Sequence, residues 1–195
     1  MKVVFLSDTH DNQTSVRLIV EKESDADLVI HGGDIISPFT LKILAPFGEK
    51  FVGVTGNNDG ELPMLFDVAS RNNMNLFRDQ ISFQIDVGNK KVLFSDLTPK
   101  AVNGEELNFS EDMVKVFLSH KPLLYGESSV YDLVLFGHTH RIYQKFHGKT
   151  LYLNPGEACG YLTGERTYAV IKLPEDVKPG TGDFIRAVEV EIKEV

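Results

Sequence analysis

Hydrophobic residues in this chain fall in short unbroken runs, and each run closes on a polar cluster rich in Asp, Asn and His. "KVVFL" (2–6) gives way to "SDTHDN", and the same switch closes "DLVIHGGD" (27–34), "KFVGVTGNND" (50–59), "MVKVFLSH" (113–120) and "YDLVLFGH" (131–138). A run without polar alternation is what a strand buried on both faces requires. Between the first three runs the period changes to that of a helix. Asp11 or Asn12 can cap a helix that buries Val16, Ile19 and Val20, because their side-chain oxygens accept free backbone N–H groups. In "SPFTLKILAPF" (37–47) Ser37 stands at the cap and Pro38 at the first helical position, where its missing N–H costs little. "LPMLFDVASRN" (62–72) predicts a third helix. Strand, loop and helix three times over is the pattern of parallel strands with crossover helices.

The second half predicts hairpins. "ISFQIDVGNKKVLFS" (81–95) turns at "GNK" and "YQKFHGKTLYLNPG" (143–156) turns at "HGK". "TYAVIKL" (167–173) and "DFIRAVEVEI" (183–192) alternate as exposed strands do, and the Pro/Gly-rich "LPEDVKPGTGD" between them predicts a turn. The expected fold class is therefore α/β, two packed sheets of mixed direction with helices outside.

Composition narrows the function classes. A chain of 195 residues with 42% hydrophobic and 25% charged residues suits one soluble domain, expected to span 1–195. The formal charge of −8 argues against nucleic acid as a stable partner and against an anionic membrane. The single cysteine, Cys159, excludes an internal disulfide and a Cys-rich zinc site, and it is read as a packed small residue. "MKVVFLSD" is too short an apolar stretch for a secretory leader, and no stretch approaches the roughly 20 residues of a membrane span. A cytoplasmic setting is expected.

The candidate chemistry lies in the polar clusters. Asp8 and His10 follow the first run, Asp34 the second, Asn57, Asn58 and Asp59 the third, His120 the fourth, and His138 and His140 the fifth. In an open α/β sheet the carboxyl ends of strands converge on the ligand crevice. Four imidazoles, two carboxylates and an amide, without thiolates, suit manganese, iron, nickel, cobalt or zinc better than calcium. Seven ligands exceed the needs of one catalytic ion and suffice for two if a carboxylate bridges. His31 is read as a hydrogen-bonding or packing residue behind the ligands, and His147 as an exposed turn residue.

The ordered set "DTH…GD…GNND…H…GHTH" resembles the calcineurin-like metallophosphoesterase superfamily. The flanking "SDTHDN", "VIHGGD", "GNNDGE" and "NPGEACGYLTG" resemble its small prokaryotic phosphodiesterase branch, to which the retromer scaffold subunit also belongs. The resemblance runs from about Met1 to Thr167. It implies a four-layer sandwich and a dinuclear centre, with Asp8, His10, Asp34 and His140 on one ion and Asp34, Asn57, His120 and His138 on the other. It implies a phosphodiesterase acting through a hydroxide between two divalent ions, manganese foremost, on a small phosphodiester. A phosphomonoesterase and a non-catalytic scaffold are the alternatives. Three features depart from the family pattern. Asn58 stands where much of the superfamily has His, and an amide is no general acid, so Asn58 and Asp59 are the candidates for handling the leaving group. "SHKP" replaces the branch's "HGH", leaving Asp96 as a rival to His120. Residues 96–112 look inserted and are expected to rim the pocket, with Leu97, Leu107 and Phe109 offering apolar contact.

Overall fold

A computed structural model describes residues 1–94, 109–122 and 130–195. The strands of the first sheet run β12-β11-β1-β2-β3-β4 and those of the second β6-β5-β7-β8-β10-β9. In chain order they are β1 (Lys2–Leu6), β2 (Leu28–His31), β3 (Phe51–Val54), β4 (Asn75–Phe77), β5 (Gln80–Asp86), β6 (Lys91–Leu93), β7 (Val114–Ser119), β8 (Leu133–Phe136), β9 (Ile142–His147), β10 (Thr150–Pro155), β11 (Thr167–Lys172) and β12 (Glu189–Glu194). β1 to β4 run parallel, as do β7, β8 and β10, while the remaining pairings are antiparallel. The fold is α/β, with two mixed six-stranded sheets flanked by helices.

Alternation along each strand divides its side chains between two cores. Val3, Phe5, Ile30 and Val52 of the first sheet meet Phe83, Val116, Leu135 and Leu153 of the second in the main core. On the outer face of the first sheet, Val4, Leu6 and Val29 pack against Val16 and Ile19 of α1 (Gln13–Lys22), Leu41 of α2 (Pro38–Ile43) and Leu65 and Ala69 of α3 (Leu62–Arg71). The unbroken apolar runs follow from this double burial. The helices start where capping chemistry allows. Asn12 accepts from the Ser15 N–H at 3.1 Å, and Ser37 accepts from Thr40 with Pro38 at the first position. α2 ends at Ile43, earlier than the sequence pattern predicts, and the chain continues as a 3-10 helix over Ala45–Lys50.

Three expectations need correction. "DFIRAVEVEI" is not one strand: Gly182–Ala187 form α4, capped by Thr181, which accepts from the Phe184 N–H at 3.1 Å, and only Glu189–Glu194 form β12. β11 is buried rather than exposed, because it lies between β1 and β12. Phe109 packs edge-on to Tyr131, at 5.7 Å between ring centres, beside Phe117, Val134 and Phe136 on the outer face of the second sheet. It therefore covers that face, where no helix lies among the described residues, instead of lining a pocket. Leu97, Leu107 and the rival ligand Asp96 lie outside the described residues.

A buried acid ties the first sheet's edge to α1. Glu23, at the end of α1, accepts from the Tyr168 hydroxyl at 2.7 Å and from Lys193 at 3.0 Å, and pairs with Lys2 at 2.7 Å. Burial opposes its charge, but these donors hold its carboxyl below the ordinary value. Removing one partner of a buried pair costs roughly 3–5 kcal/mol. Glu23→Ala is therefore expected to lower Tm by about 6–20 °C in calorimetry. Because the folded value is depressed, the contribution of Glu23 is present above its unfolded value near 4.5 and lost as pH falls below it. The gap between wild type and variant should narrow in acid.

Candidate metal centre

Every predicted ligand sits just past a strand end. Asp8 and His10 follow β1, Asp34 follows β2, Asn57 follows β3, His120 follows β7, and His138 and His140 lie between β8 and β9. Five of the seven hold left-handed backbone: Asp8 (φ 52°), His10 (39°), Asp34 (57°), His138 (66°) and His140 (59°). Asp and His tolerate this region better than most residues, and each such position still stores on the order of 1 kcal/mol. These turns swing the side chains off the strands and into one crevice. Glycines leave room for them. A Cβ on Gly56 would stand 2.2 Å from Asp34 Oδ1, and one on Gly137 would stand 2.7 Å from Asp8 Oδ2.

Asp8, His10, Asp34 and His140 bring one ligand atom each within 4.8 Å of one another. His140 Nε2 lies 3.3 Å from Asp8 Oδ1, and His10 Nε2 lies 3.4 Å from Asp34 Oδ2. His120 Nε2 is 3.3 Å from the same Oδ2 of Asp34 and 3.0 Å from Asn57 Oδ1. The His138 ring stands edge-on to His120, 5.1 Å between centres, and the His138 N–H donates to both oxygens of Asp8 at 3.2 and 3.1 Å. All seven predicted residues thus meet around Asp34 and Asp8.

The donor chemistry fits cations. His120 Nδ1 faces the Gly32 carbonyl at 2.8 Å and His140 Nδ1 faces Glu157 at 2.6 Å. Each Nδ1 must donate there, so in neutral rings the Nε2 lone pairs point at carboxylate and amide oxygens with no hydrogen between them. His10 Nε2 is buried without a hydrogen-bond partner among the described residues. Lone pairs converging without protons make a place for a positive charge. Where the His120 ring carries a second proton, its Nε2–H donates to Asp34 instead. Burial disfavours the His120 cation, but Asp34 outweighs burial and raises its pKa. Asp34 is likewise penalised by burial, and hydrogen bonds from His120 and Asn58 carry its pKa well below the usual carboxylate range. Asp8, 0% exposed, is raised chiefly by burial.

Asn58 and Asp59 meet Asp34 directly. The Asn58 backbone N–H donates to Oδ1 at 2.9 Å and its side-chain amide to Oδ2 at 2.8 Å. Asp59 accepts from the N–H groups of Gly56 (2.7 Å), Asp34 (3.1 Å) and Ile36 (2.6 Å), which locks the two loops together. His31 is fully buried, accepts from the Gly33 N–H and contacts Thr9, and burial lowers its pKa to about 3. His147 is exposed at the end of β9, its ring edge-on to Tyr152 at 5.2 Å. Cys159 is buried and donates to Glu157 at 3.0 Å, and burial first, then that carboxylate, pushes the thiol up to about 12.

Known proteins share this sequence pattern and this fold. Residues 1–176 match the model of the calcineurin-like phosphoesterase superfamily domain. The chain belongs to this superfamily. It is a metallophosphoesterase, a hydrolase of phosphoric esters that binds divalent metal. Phosphodiesterase MJ0936 of Methanocaldococcus jannaschii is 33% identical over 175 residues, covering 88% of this chain and 92% of the relative. The solved structure of an archaeal phosphodiesterase superimposes with a TM-score of 0.70 at 28% identity, covering all of both chains. Vps29 of Entamoeba histolytica, solved with zinc, shares the fold at a TM-score of 0.57 and 16% identity, covering 100% of this chain and 99% of that one.

One residue of the candidate site escaped the sequence reading. Glu157, in the loop after β10, is 0% exposed. It holds His140 and also accepts from the N–H groups of Tyr161 (2.9 Å), Leu162 (2.9 Å) and Thr163 (2.6 Å). Burial opposes its charge, and these donors carry its pKa down to about 2. A carboxylate behind a ligating imidazole fixes its tautomer and strengthens it as a ligand. Glu157→Gln places an amide N–H₂ against those donors. Manganese affinity by calorimetric titration is expected to fall about 10–100-fold, with circular dichroism unchanged.

Proposed function

We propose that the protein is a phosphodiesterase that holds two divalent ions, manganese foremost, one on Asp8, His10, Asp34 and His140 and the other on Asp34, Asn57, His120 and His138. The observation that carries this reading is the position of Asp34 Oδ2, which lies 3.4 Å from His10 Nε2 and 3.3 Å from His120 Nε2. That position supports a bridging carboxylate. The 33% identity to a phosphodiesterase supports the diester as substrate. When bound, the two ions supply an acidified water as nucleophile and neutralise charge on the phosphoryl oxygens.

The chain's own residues do the rest. His140 is oriented by Glu157 and His120 by the Gly32 carbonyl, so both offer Nε2 without reorganisation. Asn58 keeps Asp34 in register through one N–H of its amide, and its second N–H is the donor available to a substrate oxygen. Asp59, with both oxygens on backbone N–H groups, acts as a positioning residue, and the leaving alkoxide takes its proton from water. The described residues act as one unit, since both sheets share the main core. No helix among the described residues is long and apolar enough to cross a membrane. The acidic chain works in the cytoplasm on a small substrate, with neither nucleic acid nor membrane as a stable partner.

The test is turnover of a phosphodiester panel by the manganese-loaded protein, before and after chelation. Activity should vanish with chelator and return with manganese. Asp34→Asn should lose both ions in calorimetric titration and lower kcat by at least about 1000-fold. Asn57→Ala should weaken one ion alone. Full metal loading with no turnover of any diester would overturn the reading, and two ions retained by Asp34→Asn would overturn the bridge.

A further inference from the structure

A cavity of about 300 Å³ opens beside the second group of ligands, lined by Thr55, Asn57, Asp79, Gln80, His120 and Lys121 among others. Two of its walls are thus the metal-facing Asn57 and His120, so a phosphodiester held at the centre lies next to the cavity mouth. The cavity has a fixed frame. The His120 N–H donates to the Asp79 carbonyl at 3.1 Å, the Asp79 N–H donates to Thr55 Oγ1 at 3.2 Å, and Ser119 Oγ donates to the Lys121 carbonyl at 2.7 Å. Those hydroxyls are engaged by the frame. The Asp79 and Lys121 side chains are exposed, and among the described residues neither is in a hydrogen bond or ion pair.

The two charges restrict what fits. An anionic group would gain from the Lys121 ammonium and lose at the Asp79 carboxylate, and a cationic group the reverse, so neither net charge is favoured outright. An alkyl chain would strip water from both charges and return no hydrogen bond. Neutral hydroxyl groups satisfy both, since each donates to a carboxylate and accepts from an ammonium. The volume is at the lower end of ligand pockets, the size of one sugar or a short polyol. Resting on the phosphodiesterase reading above, we propose that this cavity is a subsite for one ester substituent of the substrate, selecting a small hydroxylated alcohol through Asp79 and Lys121.

The test uses symmetric diesters, so that either substituent can occupy the cavity. Glycerophosphoglycerol and dipropyl phosphate share a three-carbon chain and differ in hydroxyls. Turnover by the manganese-loaded full chain is followed by phosphorus NMR, with bis(4-nitrophenyl) phosphate as a check on diesterase activity itself. Wild type should prefer glycerophosphoglycerol by about 10–100-fold in kcat/KM, the range of a hydrogen bond to a charged group. Asp79 has left-handed backbone (φ 59°), so Asp79→Gly removes the carboxylate without backbone strain. That variant should lose the preference mainly through KM, with manganese affinity unchanged, and Asp79→Asn should recover part of it. Turnover of bis(4-nitrophenyl) phosphate with no wild-type preference would overturn the subsite alone. So would an equal loss on both symmetric diesters in Asp79→Gly, or a loss of manganese affinity, either of which would make Asp79 a support for His120. No turnover of any diester would overturn the phosphodiesterase reading and the subsite with it.

Discussion

Two carboxylates buried at adjacent strand ends are the constraint on which this structure depends. Asp8 and Asp34 are 0% and 1% exposed, and parallel pairing of β1 with β2 sets them side by side. Like charges so placed repel, and burial penalises each of them. The surroundings answer that cost with donors and with room for cations. Asn58, His120 and the His138 N–H turn toward these carboxylates, and Gly56 and Gly137 leave the space that side chains would close.

Strain and electrostatics are linked through the loops. Left-handed turns at Asp8, His10, Asp34, His138 and His140 aim the ligands but are unfavourable in themselves. They persist because the loops are fastened to one another. The N–H of Asp8 donates to the Gly33 carbonyl, and that of His10 to the Asp34 carbonyl, both at 3.0 Å. Asp59 ties the third loop to the second, and Glu157 ties the loop after β10 to His140. A preorganised site of this kind needs little rearrangement when charge develops on a phosphoryl group. The double-sided burial of both sheets supplies the rigid base.

Much of the first half was legible because its signals are local. Unbroken apolar runs report double burial, and Asp, Asn and His at their ends report the crevice. Asn12 and Ser37 announce their helices by capping chemistry that four residues contain. What was not legible depends on pairing at a distance. β4 is three residues long and becomes a strand only by lying beside β3. In "DFIRAVEVEI" the alternation of β12 runs back into α4, and the signal that separates them is the Thr181 cap two residues upstream. Glu157 sits in a glycine-rich loop where an acid reads as solvated. The cue was "GEACG", an acid between glycines of positive φ (Gly156, 85°; Gly160, 74°), but nothing local says that the loop folds back on His140.

Asp34 is proposed to lie between two ions. An anomalous-difference map at the manganese edge, from crystals grown with manganese, tests it most directly. Two peaks about 3.5–4 Å apart are expected, one beside His10 and His140, the other beside Asn57, His120 and His138, with Asp34 in contact with both. A single peak, or two peaks of which Asp34 touches only one, would contradict it.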